Sequence, residues 1–137
     1  MDIFFNMSSA HAAGLDIGLL VLVMLGLKLY VGNRRRKHKV PSGDVTHPEF
    51  GRATRVQLNA VEDVPVLMAG ILGLALIGMP AWYIHMAGWV LVVSRILHAF
   101  GLASSSGFSL GRLVGTMGTM LVYLAVAGPL LVHAFGG

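Results

Sequence analysis

Long apolar runs, broken by isolated charges, organise this chain of 137 residues. Four of them stand out, at about residues 12–31, 50–79, 81–102 and 110–135. At 1.5 Å of rise per helical residue, about 20 residues cross a hydrocarbon layer of roughly 30 Å. The pattern predicts four transmembrane helices in an all-α, up-and-down bundle that forms a single domain over residues 1–137. Short connections make successive helices antiparallel neighbours. Gly32–Pro48 reads as a basic, solvent-exposed loop, and Met79-Pro80 as a tight link. Ala103–Ser109, which contains Ser104-Ser105-Ser106-Gly107, reads as a turn.

The second run departs from the other three. Arg52, Arg55, Asn59, Glu62 and Asp63 recur at helical spacing within about a third of the circumference, then lead into the uncharged stretch Val64–Met79. Ionisable groups in a membrane segment are expensive and normally face a polar site or another helix. Two readings stand open. One is a buried network that holds the bundle, with Arg55 paired to Glu62 around Asn59. The other is a cradle for a small anionic or zwitterionic solute. There an arginine fork takes a carboxylate, and Glu62 or Asp63 takes an ammonium. Pro65 has no N–H for the carbonyl of Val61, which leaves that acceptor free.

Further polar groups punctuate the remaining runs. Arg95 and His98, at i and i+3, share a helix face that Leu102 continues. Arg112 opens the fourth run, either as an interfacial anchor or as the holder of a developing anion such as a thiolate. Arg34-Arg35-Arg36-Lys37 reads as a topogenic cluster. Anionic lipid headgroups suit it too, and one or two of its members suit a direct ligand contact. Gly111, Gly115 and Thr119, like Ala69 and Gly73, are small residues at the spacing that lets membrane helices approach closely.

Composition sharpens this picture. Hydrophobic residues make up 55% and charged residues 12% of the chain, and mean hydropathy is +0.76. Soluble domains carry about 25% charge. The sequence pI of about 10.0 raises nucleic-acid binding, but half of the ten cations crowd into Arg34–Lys39 beside a span, with no interleaved aromatic platform. A nucleic-acid partner is not expected. With no cysteine there is no thiolate metal site and no cysteine nucleophile, and the histidines are scattered, so no metal site is expected. Met1–Gly14 holds Asp2 and no Lys or Arg, unlike a cleaved signal, so the first run is expected to stay as a membrane helix. All ten Lys and Arg lie in or flank the first and third connections and the helix ends that meet them. The positive-inside rule then puts both termini on the periplasmic or lumenal side and the polar site on the cytosolic side.

At these residues the chain resembles the MAPEG family, the membrane-associated proteins in eicosanoid and glutathione metabolism. The likeness is closest to the bacterial-type microsomal glutathione transferase and prostaglandin E synthase side. Arg55, Asn59, Glu62 and Pro65 reproduce the family's helix-two pattern R-x-x-x-N-x-x-E-x-x-P. Arg95 and His98 reproduce its R-x-x-H pattern on helix three, where the leukotriene synthase branch has Tyr in place of His98. Arg112 falls within one residue of the family's helix-four arginine, and Arg34 and Arg35 fall where the family carries a basic pair. The resemblance implies an integral membrane homotrimer, in a bacterial inner membrane or an ER-type membrane. It implies glutathione as co-substrate, bound between subunits by Arg55, Gln57, Asn59, Glu62, Arg95, His98, Arg34 and Arg35, with Arg112 stabilising its thiolate. The implied activity is glutathione transfer, with peroxidase as a second outcome, on lipophilic molecules that arrive from the bilayer. Two departures stand out. Leu102 replaces a tyrosine of many family enzymes, and Asp63 stands where Asn or Tyr is common. A non-catalytic member that binds a lipid or protein is the alternative, ahead of a small transporter or channel subunit.

Overall fold

The computed structural model describes residues 6–105 and 107–136. Asp2, part of the expected uncleaved N-terminus, and Ser106 of the serine turn lie outside them. Four helices make up the architecture: α1 (Ser9–Lys37), α2 (Pro48–Leu76), α3 (Ala81–Ser104) and α4 (Leu110–Gly136). All four are long and apolar enough to cross a membrane. The fold is an all-α four-helix membrane bundle, as the apolar runs indicate. α1 packs on α2 and α3, and α4 packs on α3 and α2, whereas α1 and α4 hardly meet. α3 is therefore the central helix, with half of its most apolar window buried against 17% for α4.

The helix ends follow from local chemistry. Ser8 accepts the His11 N–H to start α1, and Ser9 Oγ donates to the Met79 carbonyl at 2.6 Å, tying α1 to the turn between α2 and α3. α1 runs on to Lys37, so Arg34-Arg35-Arg36-Lys37 form its last turn and not part of a loop. Arg and Lys are good helix formers, and cations suit the negative end of the helix dipole. Arg34 lies over the Tyr30 ring at 5.3 Å and Arg35 over the Phe50 ring at 5.1 Å. Lys39, at φ 49, stops the helix in the left-handed region. Pro48 occupies the first turn of α2, where its missing N–H is harmless. α2 ends at Leu76, three residues before its expected limit, because Gly78 turns the chain at φ 77 ahead of Pro80.

The core holds Leu20, Val64, Leu67, Ile71, Leu74, Ile84, Leu91 and Val122, all at or below 1% exposure. Leu22, Leu29, Leu72, Leu76, Leu121, Leu124 and Phe135 point outward. Apolar residues exposed all round a bundle are what a lipid solvent requires. Away from the cationic end, Asp16 of α1 is fully buried and faces His85 of α3, with Nδ1 3.1 Å from Oδ1. Gly88 makes room for this pair, since a Cβ there would collide with the Asp16 carboxylate.

Candidate functional site

A groove of about 630 Å³ opens between α2, α3 and α4 towards the cationic end of the bundle. Asn59 and Asp63 reach it from successive turns of α2, Arg95 and His98 from α3, and Thr116, Thr119 and Tyr123 from α4. Glycines bring these helices together. A Cβ on Gly115 would stand 2.5 Å from the Ser94 carbonyl and 2.6 Å from His98 Cβ. On α2 the close approach to α4 is made by Gly70 and Gly73, against Val126 and Leu130, while Ala69 is exposed.

Arg95 is the hub. It is 2% exposed. Its Nη1 donates to Asp63 Oδ2 at 3.0 Å and to Thr119 Oγ1 at 3.5 Å. Tyr123 donates to the other carboxylate oxygen of Asp63, also at 3.0 Å. Arg95 Nη2 lies 3.4 Å from His98 Nδ1. A guanidinium has only donors, so Nδ1 of His98 is the acceptor and the ring N–H sits on Nε2, free to face the groove. Arg95 Nε is buried and has no partner among the described residues. Thr119 satisfies itself by donating back to the Gly115 carbonyl at 2.8 Å. The site thus pairs one buried cation with one carboxylate and surrounds them with hydroxyl, amide and imidazole groups.

The α2 stripe splits among three surroundings. Asn59 enters the groove together with Asp63. Arg55 and Glu62 are exposed on the outer face of α2, and Arg55 borders a separate hollow with Val45, Thr46, His47 and Thr54. Arg52 turns towards α1 and α3. Gln57, two residues before Asn59, is about 160° round the helix from it and does not share its face. Arg34 pairs with Glu49 at 3.4 Å, and Arg35 covers Phe50. Within one protomer neither joins Arg95 and His98. Arg112 is exposed in the first turn of α4, where Ser109 Oγ accepts its backbone N–H at 3.2 Å. It is not among the residues that line the groove, but it stands one turn before Thr116, which does, on the same helix face. Leu102 is buried and apolar, one turn beyond His98.

A family model described as the MAPEG family matches residues 14–132 of this chain. The chain belongs to the MAPEG family. Two curated relatives are both named inner membrane protein YecN, from Escherichia coli K12 and from Escherichia coli O6:H1. Each is 30% identical over 83 residues, which is 61% of this chain and 63% of the relative. The match therefore spans a little under two thirds of the relatives' length. For this MAPEG protein the membrane location rests on that kinship together with its four apolar helices.

The sequence of this MAPEG protein did not reveal Asp63 as the partner of Arg95, nor Thr119 and Tyr123 as members of the site. A signal was there. Thr116, Thr119 and Tyr123 sit at i, i+3 and i+7, a polar line on an otherwise apolar helix.

Proposed function

We propose that this MAPEG protein binds glutathione at the Arg95 groove and activates its thiol as a membrane glutathione transferase. The observation that carries the reading is a groove of about 630 Å³ in an apolar bundle, where Asn59, Asp63, Arg95 and His98 bring polar groups together beside Met120 and Leu124. A tripeptide with two carboxylates and one ammonium needs donors and an acceptor at separate points. Asn59 and the Nε2–H of His98 supply donors inside. Arg112, one turn before Thr116, supplies a cation at the rim, while Arg55 and Glu62, on the outer face of α2, reach the tripeptide only across the boundary with a neighbouring copy. Arg95 is already neutralised by Asp63, so its contribution is to hold the groove's geometry. The exposed charges Arg55 and Glu62 on α2 support a homotrimer in which a neighbouring copy covers that face, since ionisable groups are poorly tolerated against lipid. In this reading both termini lie on the periplasmic side and the groove opens to the cytosol.

Chemically, the thiol must lose its proton to react. A free cysteine thiol has a pKa of about 8.5, and a neighbouring cation lowers such a value by about one to three units. Arg112 at the rim fills that role. The thiolate attacks an electrophilic carbon of a lipophilic partner that enters from the bilayer. The C–S bond forms as the leaving group departs with its electron pair. Reduction of a hydroperoxide is the second activity of such a thiolate. One observation favours a different reading, a non-catalytic MAPEG member that binds a lipid or protein partner. Leu102 offers no hydroxyl to the thiolate, so Arg112 carries the activation alone.

Calorimetry with millimolar glutathione on the detergent-purified protein tests binding, and the absence of heat would reject the glutathione reading. Conjugation to an aromatic electrophile tests chemistry. Arg112→Ala is expected to lower that rate by at least about tenfold, the equivalent of one pKa unit of thiol activation. Heat with glutathione but no conjugation in the unmodified protein would favour the non-catalytic reading.

A further inference from the structure

A second cavity, on another side of the bundle, lies between α1 and α3. Val56 of α2 forms its floor, Gly26 and Leu27 line one wall, and Ile96 and Phe100 line the other. It measures about 330 Å³, more than twice the roughly 150 Å³ of an apolar cavity that accepts benzene. Tyr30 and Ala103 close its cationic end, and the same two residues border a polar recess of about 200 Å³ that contains Arg34, Glu49 and Arg52. The apolar groove and the charged recess therefore adjoin, with Tyr30 and Ala103 as their shared border.

The charges in the recess do not cancel. Glu49 is shared between Arg34, at 3.4 Å, and His38 Nε2, at 2.6 Å. Among the described residues Arg52 makes no hydrogen bond or ion pair. Two guanidinium groups thus face one carboxylate that already has partners. Tyr30 stands beneath Arg34, an aromatic and cationic pair of the kind that anchors helices at membrane interfaces. In a bilayer an acyl chain gains little by leaving other chains for leucine, so the apolar groove alone selects nothing. Selection comes from the mouth, where a guanidinium can hold a phosphate through two parallel hydrogen bonds. Basic pockets between membrane helices bind anionic headgroups in this way.

We propose that groove and recess together bind one anionic phospholipid, with its phosphate at Arg52 and Arg34 and one acyl chain over Val56 between α1 and α3. The bound lipid bridges two helices that would otherwise leave a crevice. The site shares no residue with the Arg95 groove, and it gives Arg34, which the family resemblance counted among the glutathione contacts, a lipid phosphate instead.

Native mass spectrometry of the full-length protein, released from detergent with added phosphatidylglycerol or phosphatidylcholine, tests it. The unmodified protein is expected to retain one phosphatidylglycerol per protomer at least fivefold better than phosphatidylcholine. Arg52→Gln is expected to abolish that preference. Gly26→Leu fills the groove. A Cβ at Gly26 meets nothing within 4 Å, so the change is sterically open, and it is expected to lower retention of both lipids at least fivefold. Arg36→Gln removes a cation from the far side of the same α1 turn and is expected to change nothing. Equal retention of the two lipids by the unmodified protein would overturn the proposal. So would an Arg36→Gln loss as large as that of Arg52→Gln, which would mark diffuse surface charge, or undiminished retention by Gly26→Leu. Glutathione calorimetry on Arg52→Gln is expected to match the unmodified protein, which keeps failure of this site distinct from failure of the other.

Discussion

Asp63 is what allows Arg95 to stay charged inside the bundle. A guanidinium at 2% exposure has given up nearly all its water, and its compensation comes from one carboxylate, one threonine and one histidine. Removing a partner from a buried ion pair costs about 3–5 kcal/mol, because the remaining charge is left uncompensated. A single hydrogen bond between membrane helices contributes only about 0.6 kcal/mol on average. The charge term should therefore dominate over the Tyr123 hydroxyl, although both groups meet Asp63 at 3.0 Å. Asp63→Ala is expected to destabilise the detergent-solubilised protein by about 3 kcal/mol, near the lower end because Asp63 is only part-buried, and Tyr123→Phe by less than about 1 kcal/mol. Denaturant unfolding followed by circular dichroism separates the two. Equal losses would show that the hydroxyl, not the ion pair, holds the network. Asp63 was legible in the sequence as a member of a polar stripe. Its role was not, because its partner lies 32 residues further on, and periodicity does not say which neighbour covers which edge of a helix.

The seam between α3 and α4 rests on missing side chains. Gly101 lies against the Arg112 N–H, Gly111 against the Leu97 carbonyl, and Gly115 against Ser94 and His98, with Cβ distances of 2.5, 3.0 and 2.5 Å. Because the closest atoms at Gly101 and Gly115 are backbone, a methyl there cannot be accommodated by a rotamer change and must push α4 away. Gly115→Ala is expected to destabilise the bundle by about 1–3 kcal/mol, the usual effect of overpacking, and, on the proposed function, to weaken glutathione binding as Thr116 and Thr119 move off the groove. Gly18→Ala is the control: a Cβ at that position meets nothing within 4 Å, so stability should stay within about 0.5 kcal/mol. Thermal melts of the two variants, if indistinguishable, would show that the seam is loose. The small-residue ladder on α4 and the four apolar runs were both readable in the sequence, since helical period and span length are local properties. The end of α1 was not. The basic run at Arg34 marks where the apolar pattern stops and the chain leaves the hydrocarbon, but the helix continues to Lys37. Helices continue into water when their residues favour it, and here Tyr30 and Phe50 give two of the arginines a surface to lie on.

The up-and-down order gathers every cation towards one end. The last turn of α1, the first turns of α2 and α4 and the second half of α3 hold all the arginines, while the opposite end carries His11 and His133 but no Lys or Arg. Cationic segments resist translocation across the bilayer, so the arginine-rich end should stay in the cytosol and both termini should face the periplasm. The absence of cysteine makes this orientation measurable without background, since any label must sit on an introduced thiol. Arg36→Cys, exposed on α1, and Ala134→Cys, exposed near the end of α4, place single thiols at the two ends of the bundle. In intact cells a membrane-impermeant maleimide that passes the outer membrane is expected to label the cysteine at 134 and to leave the one at 36 untouched until the inner membrane is opened. The reverse pattern would place the mouth of the Arg95 groove in the periplasm, away from the cytosolic supply of glutathione. The transferase reading would then lose its co-substrate whatever the geometry of the site, which makes orientation a condition on function that no contact within the bundle can supply.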